Sequence, residues 1–408
     1  MGNLQHYLNK YHAETSLEEI CEDFMDKFGV GVKQEGDLYQ FKYNMLAAKW
    51  TRDITHECRG IILRRKDSVW SVASRPFDKF FNQGEGYCPY FQEKDFNHHI
   101  GKFWMVEKAD GTCIQLWYDH EQERYRVSTL GTITPMGVYD YDFTFADLFW
   151  TTLGVNPDDL TDDLFDKDTT YLFELCCAEN RILTKYPSNT IFLLGWRGNE
   201  HGLHAHRQEQ EEWVKMWTDN GYKVKMPYAE MMVSTGLDSL EKVKLFVHEA
   251  TSMTDVFGEY PEGFVVYDGL KPVAKMKNEQ YLSLHHVSGG DVLHTRNVII
   301  DAYFASTLDD IYDHLTDPMK TFADSLKERV EDLFLQVQHI FSDIKTKDLP
   351  TQKDYALYVQ SMSPKQFWAF FFQKKDKILD ATSDKMDLFT DWLALSYKGF
   401  MDFWKSQD

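Results

Sequence analysis

The stretch "VEKADGTCIQLWYD", from Val106 to Asp119, contains a lysine, Lys108, that is followed closely by Asp110 and Gly111. An Asp-Gly pair between two alternating apolar runs is a common signal for a hairpin turn. A lysine beside such a turn is, taken alone, usually a solvated residue at the edge of a sheet. Whether Lys108 has a chemical role therefore depends on what the rest of the sequence places around it.

Short runs rich in β-branched and aromatic residues dominate the chain from residue 1 to about residue 290. Many of them alternate apolar and polar side chains, which is typical of strands with one buried face. Two helical patterns, "RQEQEEWVKMWTDNGY" and "LDSLEKVKLFVHEA", lie among them. The spacings suit hairpins better than repeated βαβ units, so we predict an α+β domain of mostly antiparallel sheets with flanking helices. The predicted strands are "DLYQFKYNML", "CRGIILRR", "VWSVASR", "FWMVEKAD", "TCIQLWYD", "RYRVSTLG", "TYLFELCC", "TIFLLGWRG", "EGFVVYD" and "VAKMK".

The composition changes near "HHVSGGD", and beyond Gly290 helical periodicity replaces the strand patterns. One segment, "KQFWAFFFQKKDKILD", follows Ser363 and Pro364, which suit the N-cap and the first position of a helix. We therefore predict two domains, an α+β domain at residues 1–290 and an all-α domain at residues 291–408.

The 408 residues carry a formal net charge of −21 at pH 7, which argues against a surface that attracts nucleic acid indiscriminately. A nucleic-acid substrate would need a local basic groove. No apolar run is long enough to span a bilayer, and the first residues lack the apolar stretch of a signal peptide. The six cysteines form no CxxC pair and no regular framework, so we expect reduced thiols in an intracellular protein.

Charged residues stand near the ends of several predicted strands. Residues two apart in a strand share a face, so Lys275 and Lys277 can point the same way. Charges that project from apolar strands are costly to bury unless they meet a ligand or each other. Taken one at a time, the two lysines also fit a solvated edge strand, Glu262 a turn, and Glu174 an internal ion pair. The whole set is Arg59, Arg75, Lys79, Lys108, Asp110, Glu174, Arg181, Glu262, Lys275 and Lys277.

In their order along the chain, "KADG", "FE", "EGFVV" and "KMK" resemble the motifs of the covalent nucleotidyltransferase superfamily of ATP-dependent ligases and capping enzymes. Upstream "ECRG" and "ASRPFDKFFN", with "NRI" after Glu174 and "YLSLH" after Lys277, narrow the resemblance to the bacteriophage RNA ligase 1 family. The resemblance covers roughly residues 35–290 and implies a nucleotidyltransferase (adenylylation) domain there. The helical part is similar to that family only in position and class, and we expect it to supply RNA or tRNA specificity.

The resemblance implies that the amine of Lys108 attacks the α-phosphorus of ATP, releases pyrophosphate and forms a lysyl-AMP bond. A free lysine has a pKa of about 10.4 and is a poor nucleophile while it is charged. We therefore expect partial burial and neighbouring cations to lower the pKa of Lys108. The expected neighbours, which would also offset phosphate charge, are Arg59, Lys79, Lys275 and Lys277.

The remaining roles follow from the same resemblance. Glu174 is expected to hold the ribose of ATP, and Glu262 to place a divalent metal, Mg²⁺ or alternatively Mn²⁺. Lys277 is expected to reach the α-phosphate. Asp110 and Gly111 are expected to shape the turn, with Gly111 free to take a positive φ. The predicted catalytic residues are Lys108, Asp110 and Lys277, and the predicted ATP-binding residues are Arg59, Lys79, Lys108, Glu174, Glu262, Lys275 and Lys277.

The function implied is an ATP-dependent RNA ligase that joins 5′-phosphate and 3′-hydroxyl ends through an RNA-adenylate, with repair of cleaved tRNA as its task. We expect a monomer with no membrane contact, located in the host cytoplasm if the protein is phage-encoded. Two alternatives remain open. One is a catalytically inactive protein that binds RNA ends or tRNA; the other is a DNA ligase or capping enzyme, which the lack of an OB-fold-like strand set after Lys277 disfavours.

Several features stand apart from this interpretation. Leu130 precedes Gly131 where the family usually shows a lysine, so the task of that lysine is either missing here or done elsewhere. The chain has no GxxxxGK[ST] phosphate loop. The histidines of "HGLHAHR" fit no common zinc spacing and indicate a polar loop, and the aromatic residues of the tail indicate a core. Three tail lysines suit either a basic face for an RNA stem or a solvated helix end. These residues are His201, His204, His206, Phe367, Trp368, Phe370, Phe371, Phe372, Lys374, Lys375 and Lys377.

Overall fold

Three sheets of short strands form the framework of the first of two units in this computed structural model. The units are Met1–His286 and Val287–Asp408. The predicted α+β class with mostly antiparallel sheets is confirmed. The domain boundary predicted near residue 290 lies outside the described residues. The structure describes residues 2–44, 47–138, 141–161, 163–204, 207–282, 299–300, 303, 312, 315, 317–347, 349, 351–363 and 365–379.

The first sheet is antiparallel with the strand order β1-β2-β3-β4, and two N-terminal helices pack against it. The second of these helices begins at a capping box between Ser16 and Glu19 and ends at Gly29, which has a left-handed φ of 65°. Phe24, Phe41 and Trp70 are fully buried in the shared core. The elements are α1 (Asn3–Tyr11), α2 (Leu17–Phe28), β1 (Val30–Glu35), β2 (Leu38–Tyr43), α3 (Asp53–Glu57), β3 (Arg59–Lys66) and β4 (Val69–Ser74).

The second sheet is antiparallel with the order β10-β9-β7-β8 and packs against two helices. Its core combines aliphatic with aromatic side chains, and the stacked rings of Phe165 and Trp217 have centroids 4.9 Å apart. The predicted helix in "RQEQEEWVKMWTDNGY" is confirmed as α6. The elements are β7 (Thr112–Asp119), β8 (Arg124–Thr129), α5 (Phe145–Leu153), β9 (Thr169–Cys176), β10 (Thr190–Gly198) and α6 (Arg207–Asp219).

The third sheet has the order β11-β6-β12-β13-β5 and one parallel pair, β13 with β5. The predicted helix in "LDSLEKVKLFVHEA" is confirmed as α7, which packs in the core beside this sheet. The elements are β5 (Phe81–Asn82), α4 (Glu93–His99), β6 (Phe103–Glu107), β11 (Ala229–Met231), α7 (Leu240–Glu249), α8 (Thr254–Phe257), β12 (Gly263–Asp268) and β13 (Lys271–Lys277). Short 3-10 turns lie at Ile100–Lys102, Pro157–Asp159, Ala178–Asn180, Met232–Thr235, Ala250–Ser252 and Lys365–Phe367.

The second unit is helical wherever regular structure is described. The single helix predicted after Ser363 is wrong, because the chain there forms a 3-10 turn and two short helices. Ser363 instead ends the preceding helix, and its hydroxyl donates a hydrogen bond to the carbonyl of Val359 at 2.7 Å. Pro364 lies outside the described residues, whereas Phe370 and Phe371 are buried as predicted. The helices are Asp317–Thr346, Gln352–Met362, Trp368–Gln373 and Lys375–Leu379.

Two findings concern membrane spans and cysteines. None of the helices in the described ranges is both long and apolar enough to cross a bilayer. All six cysteines are free thiols.

Candidate active site

A cavity of about 170 Å³ lies where residues of the third sheet face residues of the second. We call it the Lys108 cavity. On one side, β6 and β13 contribute a carboxyl group and two lysines, and Lys108 and Glu262 stand next to the ends of β6 and β12. On the other side, β7 and β9 contribute side chains. Six of the predicted site residues line it, namely Arg59, Lys108, Glu174, Glu262, Lys275 and Lys277.

Lys108 stands at the passage of the chain from one sheet to another. Strand β6 ends at Glu107, and the backbone N–H of Lys108 continues its pairing by donating to the carbonyl of Gly263 at 2.9 Å. Strand β7, which begins at Thr112, belongs to the second sheet. The Asp-Gly turn is therefore not a hairpin, and it leaves Lys108 at the cavity between the sheets.

Gly111 is required for a different reason than we predicted. Its φ is not among the positive values of this chain, so the turn does not use the freedom to take a positive φ that we expected of this glycine. A Cβ at this position would lie 2.2 Å from the carbonyl oxygen of Leu175 and 2.8 Å from its carbon. The backbone of β9 passes so close to the turn that a side chain at position 111 has no room.

Asp110 is buried and ties together three segments around the turn. One carboxylate oxygen accepts hydrogen bonds from the backbone N–H groups of Leu183 (3.0 Å) and Thr184 (2.9 Å). The other accepts from the hydroxyl of Tyr281 at 2.9 Å. Burial, and then the charge of Glu262, raises the pKa of Asp110. Asp110 thus positions the turn that carries Lys108.

Glu262 holds two of the predicted lysines at once. Its Oε2 pairs with the Nζ of Lys108, and its Oε1 lies 2.8 Å from the Nζ of Lys277. The following residue, Gly263, has a φ of 134°, and a Cβ there would lie 2.1 Å from the carbonyl oxygen of Met276. The Glu-Gly pair therefore brings the carboxylate against β13, where Lys277 stands.

The pKa of Lys108 does not move in the direction we expected. Burial lowers it, but the carboxylates of Glu262 and Glu174 outweigh burial, and the pKa lies above that of a free lysine. The expected decrease considered only burial and the neighbouring cations, whereas the carboxylates near the amine act in the opposite direction. The pairing with Glu262 therefore favours the ammonium form of Lys108.

Lys275 has the properties that we expected of Lys108. Its Nζ lies 5.3 Å from the ring centroid of Phe80. Burial, followed by the charges of Lys79, Lys108 and Arg59, lowers the pKa of Lys275 to about 7. A lysine whose pKa lies near 7 binds an anion readily, because the negative charge of the anion stabilises the protonated form that burial disfavours.

Two carboxyl groups of the Lys108 cavity hold protons near neutral pH. Burial raises the pKa of Glu174, on β9, to about 8. Burial also raises the pKa of Glu107 to about 7, and that side chain accepts a hydrogen bond from the backbone N–H of Tyr228 at 3.2 Å. Glu107 was not among the predicted residues, although a carboxylate at the end of an apolar strand directly before Lys108 was a visible signal.

Lys79 is not among the residues that line the Lys108 cavity. Its ammonium group lies among three aromatic rings, at 5.2 Å from the ring centroid of Tyr43, 5.5 Å from Trp50 and 5.1 Å from Phe81. Such cation–π contacts stabilise a charged lysine that has little water around it. Its charge still reaches the cavity, since it contributes to the lowered pKa of Lys275.

The other candidates from the sequence lie elsewhere. Arg75 is buried and donates through Nε to the carbonyl of Asn199 at 2.9 Å, and neither it nor Arg181 lines the Lys108 cavity. His204 stacks on Phe77, and burial lowers its pKa to about 4. His206 is outside the described residues.

The donors for a divalent metal are carboxylates. Over the part of the chain that the structure describes, no group of three His, Cys, Asp or Glu side chains could hold a metal ion by itself. Mg²⁺ usually takes one or two protein carboxylates and completes its shell with water and substrate phosphates. Glu262 and Glu174 fit that donor set. Glu262 is paired with two lysines, so one of these ion pairs must break before its carboxylate can bind the metal.

Comparison with known proteins gives a consistent picture. The model of a family described as RNA ligase matches residues 57–282. The chain is 28% identical over 374 residues to an RNA ligase of Rhodothermus phage RM378, and the alignment covers 83% of each protein. It is 39% identical to RNA ligase 1 of bacteriophage TS2126 over 70 residues, 17% of each protein.

Solved structures of ligases are also similar to this chain. An archaeal ATP-dependent RNA ligase has a TM-score of 0.44 and 12% identity over 83% of this chain and 85% of that one. A Naegleria gruberi RNA ligase variant with ATP and Mn has a TM-score of 0.38 and 14% identity over 48% of this chain and 55% of that one.

Proposed function

The chain belongs to the RNA ligase family, and from that membership we propose that it is an ATP-dependent ligase that joins 5′-phosphate and 3′-hydroxyl RNA ends through a lysyl-AMP intermediate. The observation that carries the proposal is the Lys108 cavity. There a lysine, Lys108, shares the carboxylate of Glu262 with Lys277, and Glu174 and Lys275 line the same space. These groups suit a reaction that binds a polyphosphate and attacks it with an amine.

In the first step, the nitrogen of Lys108 attacks the α-phosphorus of ATP. A nitrogen–phosphorus bond forms, the bond from the α-phosphorus to its bridging oxygen breaks, and pyrophosphate leaves with the electron pair. The ammonium group loses one proton before the attack and a second as the nitrogen–phosphorus bond forms, both to water, and one hydrogen stays on the nitrogen. Because Glu262 raises the pKa of Lys108, the ion pair between them must open before the amine can attack.

The neighbouring residues then have separate tasks in this proposal. Arg59, Lys275 and Lys277 bind phosphate oxygens, with Lys277 at the α-phosphate, and Glu174 holds the ribose. Glu262 takes part in holding Mg²⁺, which when bound offsets charge on the phosphates. Asp110 keeps the turn in place.

Two further steps complete the reaction. AMP moves from Lys108 to the 5′-phosphate of an RNA end, and the 3′-hydroxyl of a second end displaces AMP and seals the strand. We assign RNA selection to residues 291–408 and propose cleaved tRNA as the substrate, in the cytoplasm of the host if the protein is phage-encoded.

The proposal is tested by incubating the protein with Mg²⁺ and ATP labelled at the α-phosphate, followed by a denaturing gel, with GTP in parallel. We expect a labelled band with ATP that is absent from Lys108→Ala. Lys102→Ala is the matched control, since Lys102 precedes β6 at its other end and pairs with Asp268 at the surface. Label in folded Lys108→Ala would refute the assignment, and no label in the wild type would favour an inactive RNA-binding protein.

A further inference from the structure

A second cavity, of about 270 Å³, borders the first sheet, and we call it the Lys42 cavity. It is lined by residues of β1 and β2 and by Gly131, which follows β8. Two lysines, Lys33 and Lys42, are among its lining residues, and no carboxylate is among those described. Its described charged lining residues are both cations, which is unusual in a chain with a net charge of −21.

Paired residues of β2 and β3 connect the lining of the Lys42 cavity with that of the Lys108 cavity. Lys42 on β2 is the register partner of Arg59 on β3, and Arg59 lines the Lys108 cavity. Tyr43, the next residue, lines the Lys42 cavity and also contacts Lys79 with its ring. Directly opposed residues of paired strands have Cβ atoms about 5 Å apart. The two lysines and the arginine therefore form one continuous group of cations with Lys79 beside it.

The ammonium group of Lys42 is available to a ligand. The Nζ of Lys33 is engaged, because it donates to the carbonyl of Gly131 at 2.7 Å. The Nζ of Lys42 lies 3.5 Å from the position that a Cβ on Gly131 would occupy, and no carboxylate described here pairs with it. Burial, followed by the charges of Lys33 and Arg59, lowers the pKa of Lys42. Cations that repel one another without a counter-charge are expected where an anion binds.

The position of Lys42 indicates which anion this is. Its register partner Arg59 lines the Lys108 cavity together with Lys275 and Lys277, where the proposed function places the phosphates of ATP. The α-phosphate is assigned to Lys277 and must lie at Lys108, so the β- and γ-phosphates are the ones that can extend past Arg59 toward Lys42.

We propose that Lys42 binds the β- or γ-phosphate of ATP while lysyl-AMP forms, next to Arg59. The inference rests on the proposed function. It also accounts for Leu130, which stands before Gly131 where a lysine was expected. Lys42 brings an ammonium group to the same glycine from β2, a strand of the first sheet.

The experiment measures the rate of lysyl-AMP formation in a single turnover against ATP concentration. Lys42→Met keeps the length of the side chain and removes its charge, and we expect half-maximal rate at roughly tenfold higher ATP. Lys42→Arg should restore most of the loss. Lys66→Met is the matched control, because Lys66 is an exposed lysine at the far end of β3 that pairs with Glu121; we expect a change of less than about twofold.

A second measurement separates ATP from RNA as the source of the phosphate. Sealing of an RNA that already carries 5′-AMP uses neither β- nor γ-phosphate, so Lys42→Met should seal it at the wild-type rate. An equal loss in sealing would overturn the proposal in favour of an RNA phosphate. An unchanged ATP dependence of adenylylation would overturn it as well.

The third measurement tests the position of the charge. In the double variant Lys42→Met with Leu130→Lys, a lysine returns beside Gly131 from the other strand, and the ATP dependence should recover at least in part. No recovery in a folded double variant would refute the equivalence of the two positions. If the wild type forms no lysyl-AMP, the proposed function itself has failed, and that outcome is distinct from every result with the variants.

Discussion

At the scale of single residues, Glu262 determines how the two lysines Lys108 and Lys277 are paired. The sequence motifs predicted that Lys108, Glu262 and Lys277 belong to one site, and the structure brings them into contact. The sequence did not predict that one carboxylate pairs with both lysines, because this depends on the register of β12 against its two neighbours. It also did not predict the direction of the pKa shift of Lys108, which is a balance between burial and carboxylates at ångström distances.

The turn after Lys108 gives a prediction about stability. Gly111→Ala would place a methyl group 2.2 Å from the carbonyl oxygen of Leu175, a backbone atom that cannot move without moving β9. We expect the free energy of unfolding to fall by about 3 kcal/mol or more, measured by chemical denaturation. Gly101→Ala is the matched control, since a Cβ at Gly101 meets no atom within 4 Å. Equal stability of the two variants would contradict this explanation of Gly111.

At the scale of elements, the long strands could be predicted from their alternating side chains. Very short strands, and a helix that is marked mainly by its capping residues, were not predicted. Strand β5 has two residues and β11 has three, too few for a periodic signal. The helix α2 was missed although Ser16, Glu19 and Gly29 mark both of its ends. A turn that joins two sheets looks like a hairpin in sequence, because the Asp-Gly signal describes local geometry and not the partner of each strand.

Asp119 at the end of β7 links two sheets, and its removal should cost stability. Its carboxylate, fully buried, accepts hydrogen bonds from Arg64 of β3 at 2.8 Å and from Arg126 of β8 at 3.0 Å. Asp119→Ala leaves two guanidinium groups short of a partner, so we expect a loss of roughly 3 kcal/mol in the free energy of unfolding. Glu121→Ala, which removes the exposed partner of Lys66, should have no measurable effect.

The same carboxylate has a pH dependence with a definite sign. Burial raises the pKa of Asp119, but the hydrogen bonds from Arg126 and Arg64 outweigh it and hold the pKa below its ordinary value. Its contribution is therefore complete above the unfolded-state pKa of about 3.9 and is lost as the pH falls below that value. The difference in stability between wild type and Asp119→Ala should shrink in acid; a constant difference would mean that the ion pairs are not its source.

At the scale of the whole molecule, the division into two units predicts that adenylylation and the choice of RNA depend on different parts of the chain. Every residue that lines the Lys108 cavity belongs to Met1–His286. A protein that ends at residue 286 should therefore still take up label from ATP, while its choice among RNA substrates changes. The measurements are labelling with α-labelled ATP and sealing of a cleaved tRNA against an unstructured RNA. Loss of labelling in a folded truncated protein would mean that the second unit helps to build the site.

The larger architecture was the most predictable level. An α+β part followed by a helical part can be inferred from the change of periodicity alone, since strand and helix periods are averaged over many residues. The position of Arg59 beside Lys42 was beyond such reasoning, because it depends on which strands become neighbours and in which register.

The pairing of Lys108 with Glu262 has a consequence for the enzyme at rest. A lysine kept permanently neutral would react with any electrophile that reaches it, such as cyanate or an acyl phosphate, and each such event would inactivate a molecule for good. Held as an ammonium against a carboxylate, Lys108 is shielded from these side reactions until the site fills. The protein should therefore resist carbamylation at Lys108 while this ion pair is closed.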